Sequence, residues 1–406
     1  MKLFRRVHDP VLFFLALAAT GLGLLFIFDA GYPHSIAANH GLLPMEFRSQ
    51  ILVLALALGA GGAASLVTAE RWRRLAPALW LFSFVTLLLP WAPVIGYQMN
   101  HASRWFKLGP VMVQPSEYAK VALVLYLAAA FAGRKAWPRN IKPARNLAHW
   151  LDKIAAHKLA RMWPGLFVLA AIAIVEKEPD MGTAAVLGVT AFAMMWAGGV
   201  SGKSLIAAVA VACIGAGFMI AKEPYRLDRI TQHSTRWSAQ NIDETGYQTV
   251  QSELGMASGG VFGVGIGNGR AKHVIPAATT DFVMATVGEE TGFVGSVVVL
   301  AVLGVLVWRL LWLARRAATP FAGLVLSGFG AWIGVQSCVN VMMANGLLPA
   351  IGIPLPFISS GGSSLVALWI AVGMCQAVLE PKTAKEVADA PGRYGWRDGR
   401  TRLSRA

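Results

Sequence analysis

The dominant pattern along this chain is a series of long apolar runs that are continuous rather than alternating. A run of about 18–20 apolar residues, rising about 1.5 Å per residue, is long enough to cross the hydrocarbon of a bilayer. Every backbone polar group must then be bonded within its own segment, so the runs predict helices. Spans are predicted at approximately 10–29, 50–68, 75–97, 116–133, 164–177, 182–200, 204–222, 288–314, 320–344 and 363–380. The N-terminus, with Lys2, Arg5 and Arg6 ahead of Val11–Phe28, has the outline of a signal sequence. Its apolar part exceeds the usual ~7–15 residues, so it is read as a retained first helix.

The basic residues orient these spans. With the N-terminus inside, the inside gaps hold Arg71, Arg73 and Arg74, eight Lys/Arg in 134–163, Lys203, Arg315 and Arg316, and seven more after Pro381. The outside gaps are poorer in Lys and Arg for their length, and the longest, 223–287, balances acids and bases. The excess of Lys and Arg in cytoplasmic loops therefore predicts both termini inside. The expected organisation is one transmembrane domain, 1–381, with an outer loop at 223–287 and a basic cytoplasmic tail at 382–406. The fold class is an all-α polytopic membrane protein of about ten helices.

Composition agrees. Of 406 residues, 56% are hydrophobic and 14% charged, against about 25% charged in soluble domains. The formal charge of +15 would suggest nucleic acid in a soluble protein; here the cytoplasmic loops account for it, and no nucleic acid partner is expected. Cys213, Cys338 and Cys375 fall inside apolar runs with no metal-ligand spacing.

Under this topology the unusual polar segments share the outer face. Gln114-Pro115-Ser116-Glu117 follows Arg104-Trp105 and reads as an ordinary helix start. That does not explain Lys120, one turn deeper on the same face as Glu117, where an ionisable group is costly and is usually paired or functional. A Glu117–Lys120 pair lining a polar cavity is expected. Glu178-Pro179-Asp180 interrupts apolar sequence and is at least a tight turn. Asp281, after Thr279 and Thr280, is either a helix N-terminal acid or a carboxylate available as a general base, with Glu289 and Glu290 close behind. Ser359-Ser360-Gly361-Gly362-Ser363-Ser364 precedes the last span, either as small-residue packing or as backbone open to an anion such as a lipid pyrophosphate. The glycine-rich stretch 259–269 lacks the strand context and spacing of a dinucleotide fingerprint and is not a Walker A loop. Tyr247, Gln248 and Gln251 suit one face of a short helix, for sugar hydroxyls or for loop packing.

Taken in order, five segments resemble the SEDS family of FtsW, RodA and SpoVE. They are RWFKLGPVMVQPSEYAK (104–120), EPDMGTA (178–184), GYQTVQSELGMASGGVFGVGIGNG (246–269), TTDFVMATVGEETGFVG (279–295) and NGLLPAIGIPLPFISSGGSS (345–364). The resemblance implies a ten-helix SEDS bundle that polymerises lipid II into β-1,4-linked glycan, releasing undecaprenyl pyrophosphate. It implies that Asp281 matches the family's essential aspartate and that Glu117 and Lys120 match its Gln-Pro-Ser-Glu segment. The chain departs from the family at Glu178, where Gln is usual, at Ala277, where Glu is usual, and at Ser360, where Tyr is frequent. Gly267-Asn268 with Lys272 and the Gly-Gly-Ser-Ser ending look more like FtsW, with RodA the alternative.

The chemistry needs a base for the acceptor hydroxyl and positive charge at the leaving pyrophosphate. Asp281 is the catalytic candidate. Arg104, Lys120, Lys272 or a divalent cation (Mg or Mn) are candidates for the pyrophosphate. Asp180, Gln248, Gln251, Ser359, Gly361, Gly362 and Ser363 complete the expected substrate-binding set. Expected partners are lipid II, a class B penicillin-binding protein and divisome or elongasome proteins. The competing class is a lipid II flippase; it would need no base at Asp281 and would expose polar residues toward both faces.

Overall fold

The computed structural model describes residues 7–37, 41–92, 96–99, 102–108, 111–133, 164–178, 180–222, 231–239, 241–242 and 246–380. The basic segment 134–163, the tail 382–406, Pro179 and parts of the predicted outer loop (223–230, 240 and 243–245) lie outside the described residues.

The helices are α1 (Pro10–Ala37), α2 (Met45–Leu66), α3 (Ala69–Leu88), α4 (Pro115–Ala132), α5 (164–177), α6 (Met181–Ala197), α7 (Gly202–Lys222), a single turn α8 (231–234), α9 (Tyr247–Ser258), α10 (Ala271–Val274), α11 (Val283–Arg315), α12 (Pro320–Ala344) and α13 (Gly362–Val378). Each predicted span coincides with one of these helices. Five of them, α1, α2, α3, α11 and α12, are long and apolar enough to cross a membrane, and α6, α7 and α13 are shorter apolar helices. The chain is a polytopic membrane protein.

Three differences from the predicted pattern have local causes. The fold is not wholly helical: between α3 and α4, β1 (Gly96–Met99), β2 (Ala102–Leu108) and β3 (Val111–Val113) form a small antiparallel sheet. The third span, expected to reach 97, ends at Leu88 and closes with a 3-10 turn through Pro90. The hydrophobicity of the following residues goes instead into strands, where Phe106 pairs with both Gly96 and Val113. Finally, α11 starts earlier than expected and bends at Gly292, whose φ of 66° is open to glycine at little cost.

Helices α4, α12 and α13 form the centre; Leu123, Val124, Leu125, Phe329, Trp332, Leu368 and Trp369 are all buried there. Helix α7 stands at the edge, with its described side chains largely exposed. Small residues set the closest approaches, as is usual between membrane helices. A Cβ placed on Gly373 of α13 would lie 2.0 Å from the Gly61 carbonyl oxygen of α2. At the predicted inner end, Arg309 of α11 is paired with Asp9, and Gln376 of α13 bonds the Asp9 backbone at both its N–H and its carbonyl (2.8 Å each). The ends of α11 and α13 are thereby tied to the start of α1.

The α2–α13 contact makes a direct prediction. Gly373→Ala drives a methyl into rigid backbone and should cost about 1–3 kcal/mol or more. Gly59→Ala, on the same α2 but with nothing within 4 Å of the new Cβ, should be tolerated. Thermal unfolding of both purified variants in detergent checks the contrast; equal stability would contradict the packing.

Candidate functional site

The N-terminal ends of α4, α6, α11 and α13 converge. Gln114, ahead of Pro115 at the start of α4, donates its backbone N–H to Ser363 Oγ (3.0 Å) and its side-chain amide to Asp180 Oδ2 (3.3 Å). Asp180 caps α6, with Oδ1 accepting from the Thr183 N–H (3.1 Å). Ser359 donates to the Thr280 carbonyl and accepts from the Leu355 N–H (2.8 Å), while the Ser360 N–H bonds the Thr279 carbonyl (2.8 Å). The serine-glycine run is thus laced to the Thr-Thr-Asp turn, and four polar segments far apart in sequence meet on one face.

Asp281 sits in the turn before α11, half-buried. The Asn340 side chain, from within α12, donates to its backbone carbonyl (2.8 Å) and to that of Ile353 (2.7 Å). Gly352, at φ 71°, faces both Asp281 and Arg104: a Cβ there would stand 3.6 Å from Asp281 Oδ2 and 3.9 Å from an Nη of Arg104. Any side chain at 352 would therefore crowd both the carboxylate and the guanidinium. Arg104, carried by β2, also donates through Nε to the Glu178 carbonyl (3.2 Å). The small sheet thus delivers the cation to the site, which an unbroken third span would not do.

The electrostatics are lopsided. Asp281, Asp180 and Glu178 gather around the Arg104 guanidinium. Burial pushes the Asp281 carboxyl up to about 6, with the charge of Asp180 adding to the rise and Arg104 opposing it. Burial pushes Glu178 up to about 9, again with Asp180 adding and Arg104 opposing. Glu178 is fully buried, and neither carboxyl oxygen has a hydrogen-bond partner among the described residues. It is therefore neutral near pH 7. Asp281, titrating close to neutrality, is poised to take up a proton. Among the described residues, no group of three or more His, Cys, Asp or Glu side chains is arranged to hold a metal ion.

The remaining candidates fall elsewhere. Glu117 and Lys120 pair as expected (2.7 Å), but they are packed rather than lining a cavity. Lys120 also donates to Gln336 Oε1 of α12 (2.9 Å) and lies 5.0 Å from the centre of the Trp332 ring. Gln336 passes the connection on, donating to the Pro354 carbonyl (2.9 Å). The pair therefore supports, from below, the loop that carries Gly352. Lys272, a sequence candidate for the pyrophosphate, is buried between Asp29 (2.8 Å) and Glu290 (2.6 Å). Its charge is matched there, which leaves Arg104 as the cation beside Asp281. Gln248 and Gln251 lie half-buried on α9, the short helix expected for them. Gly361 is the N-cap of α13 in extended backbone and Gly362 its first residue.

Sequence reading passed over Gln336, Asn340 and Gly352, and took Gln114 only as part of a helix start. Gln336 and Asn340 carried a usable signal: two amides one turn apart inside an otherwise apolar span, a spacing that puts them on one face.

Comparisons with known proteins bear on the family and the fold. A family model described as "Cell cycle protein", covering FtsW, RodA and SpoVE, matches residues 10–383. Proteins named "Probable peptidoglycan glycosyltransferase FtsW" from Allochromatium vinosum and Aromatoleum aromaticum are each 33% identical. The first match spans 90% of this chain and 88% of that protein; the second spans 91% and 87%. Among solved structures, a chain described under "Structural coordination of polymerization and crosslinking by a peptidoglycan synthase complex" superposes with a TM-score of 0.72 at 28% identity, over 91% of this chain and 97% of that one. Thermus thermophilus rod shape determining protein RodA superposes with a TM-score of 0.62 at 27% identity, over 91% and 96%.

The pair below the site yields a prediction. Lys120→Met strands the Glu117 carboxylate in the bundle and should cost about 3–5 kcal/mol of stability, with Glu117→Gln also destabilising. The double variant should cost less than the sum, with a coupling of about 0.5–3 kcal/mol. Denaturation of the four purified proteins closes the cycle, and simple additivity would contradict the pairing.

Proposed function

The chain belongs to the FtsW, RodA and SpoVE family of cell cycle proteins, and we propose from that premise that it is an FtsW-like peptidoglycan glycosyltransferase that polymerises lipid II during cell division. The observation that carries the reading is the grouping of Asp281 with Arg104 across Gly352. In this reading the acceptor sugar's 4-hydroxyl gives its proton to Asp281 as its oxygen attacks the donor's anomeric carbon. The bond from that carbon to the pyrophosphate oxygen breaks, and the electron pair leaves with undecaprenyl pyrophosphate. Arg104 stabilises the charge that develops on the pyrophosphate. Glu178, being neutral, does not cancel the guanidinium. Asp180 fixes the start of α6 and keeps the Asp281 carboxyl high. A Mg or Mn ion, if the reaction uses one, would be carried by the pyrophosphate rather than by a carboxylate cage.

The reaction is assigned to the bacterial cytoplasmic membrane, with the Asp281 cluster facing the periplasm; the basic gaps at the opposite ends of the spans support this orientation. A class B penicillin-binding protein is the proposed partner, in keeping with a solved relative described as a polymerisation and crosslinking complex. The second reading is a RodA-like elongation polymerase, favoured by the likeness to the Thermus protein. A flippase is disfavoured because, among the described residues, the interacting motifs gather at one face.

Asp281→Asn keeps the size and most of the capping capacity of the carboxylate but cannot accept the proton. Glycan synthesis from labelled lipid II by the purified variant should fall by about 10²-fold or more, with lipid II binding and folding retained. A near wild-type polymerisation rate would make Asp281 a helix cap and remove the catalytic assignment.

A further inference from the structure

The glycine-rich stretch 259–269 was expected to lie in the aqueous outer loop, and its side chains do not suit water. Within six residues Val261, Phe262, Val264 and Ile266 are all exposed, Phe262 by 81%. Nothing in the described chain covers them.

The backbone of the stretch is built for an apolar setting. Val264 N–H bonds the Glu289 carbonyl and Gly265 N–H the Glu290 carbonyl, each at 3.0 Å. The Glu290 carboxylate accepts from the Gly267 and Gly269 N–H groups (3.0 Å each), and Glu289 accepts from the Ala271 N–H (2.7 Å). Two adjacent side chains of α11 therefore hold the loop by its amides, and Lys272 balances the charge of Glu290 (2.6 Å). Lipid-exposed irregular backbone is excluded from the hydrocarbon core, so a loop held by its amides in this way can seat its apolar side chains only at the headgroup–acyl boundary.

The depth is fixed by α11. Residues 283–290 are buried; the helix bends at Gly292, and from Phe293 onward it presents exposed apolar side chains as far as Trp308 and Leu311. The stretch 293–313 is about 30 Å long, one hydrocarbon thickness. The loop joins α11 at the start of that stretch. Phe293 N–H bonds the Gly260 carbonyl (2.9 Å) and Val294 N–H the Val261 carbonyl (3.0 Å), so the loop caps the helix restarted after the bend. Contact there is too close for side chains: a Cβ on Gly292 would lie 2.3 Å from the Gly263 nitrogen. Val261 and Phe262 therefore stand level with Phe293 and Val294, where the lipid-facing surface of the span begins.

We propose that the 261–266 loop is an interfacial anchor, seated among the phospholipid acyl chains of the outer leaflet and continuous with the lipid-facing surface of α11. It would set the depth at which α10, α11 and the Asp281 turn meet the membrane surface. The proposal rests on the chain being a membrane protein and not on its catalytic role.

Spin labelling of the full-length protein in phosphatidylethanolamine–phosphatidylglycerol vesicles tests it. Cys213 and Cys338 are exposed and are first replaced by serine; Cys375 is buried and stays. Nitroxides are then attached through Phe262→Cys and, independently, Ile266→Cys. Arg270→Cys serves as a polar reference and Val298→Cys as a lipid-facing one. Collision with oxygen relative to nickel(II)-EDDA should be several-fold higher at 262 and 266 than at 270, and close to the value at 298. A ratio at 262 and 266 equal to that at 270 would place the loop in water and overturn the proposal. Protection from both reagents would mean that protein covers it, and would overturn it equally.

Discussion

An ionisable group inside a membrane bundle has to find a partner, because the hydrocarbon offers no water to solvate it. Among the described residues, several buried charges meet that demand in a way that also joins helices. Lys120 binds Glu117 within α4 and reaches Gln336 on α12; Lys272 joins α10 to α1 through Asp29 and to α11 through Glu290; Arg309 joins α11 to the start of α1. Each link is worth little relative to an apolar alternative of equal volume, but each becomes costly to break once made. Together they fix which helix ends stand side by side, and so what reaches the face that carries the site.

At that face the matching stops. Glu178, Asp180 and Asp281 gather around Arg104, more acid than one guanidinium can neutralise. The outcome is a division of protonation states: one carboxyl held neutral, and one poised close to the pH of the medium. A proton acceptor and a cation then share one small space beside a glycine, the arrangement a glycosyl transfer with a pyrophosphate leaving group would use. The supports beneath are indirect. Gln336 and Asn340 hold the carbonyls of Pro354 and Ile353, so the loop bearing Gly352 is positioned by amides that touch neither reacting partner.

Much of this was legible in the sequence. Continuous apolar runs gave the helices, and the polar segments interrupting them gave the face on which the site assembles. The Glu117–Lys120 pair followed from spacing alone. What was hidden depended on long-range contact. The β1–β3 sheet could not be seen because its residues continue the hydrophobicity of α3, and the break comes from Pro90 and the pairing of Phe106 with neighbours on both sides. Lys272 looked available as a pyrophosphate ligand because its partners, Asp29 and Glu290, lie 243 and 18 residues away. Glu178 looked like turn chemistry, and only its burial beside Asp180 made its charge state distinctive. The hold on the glycine-rich loop was hidden because the carboxylates that satisfy its amides, Glu289 and Glu290, belong to α11.

The most direct measurement is the pH dependence of lipid II polymerisation under single-turnover conditions. A general base at Asp281 would act only when ionised, so on this account the rate should be lost as pH falls and should rise through an apparent pKa near 6. Arg104 lowers that value and Asp180 raises it, so Arg104→Gln should move the inflection to higher pH and Asp180→Asn should move it to lower pH. Opposite shifts would establish that the three groups act on one another at the reacting centre. A profile flat across this range, or an inflection that neither substitution moves, would contradict the account.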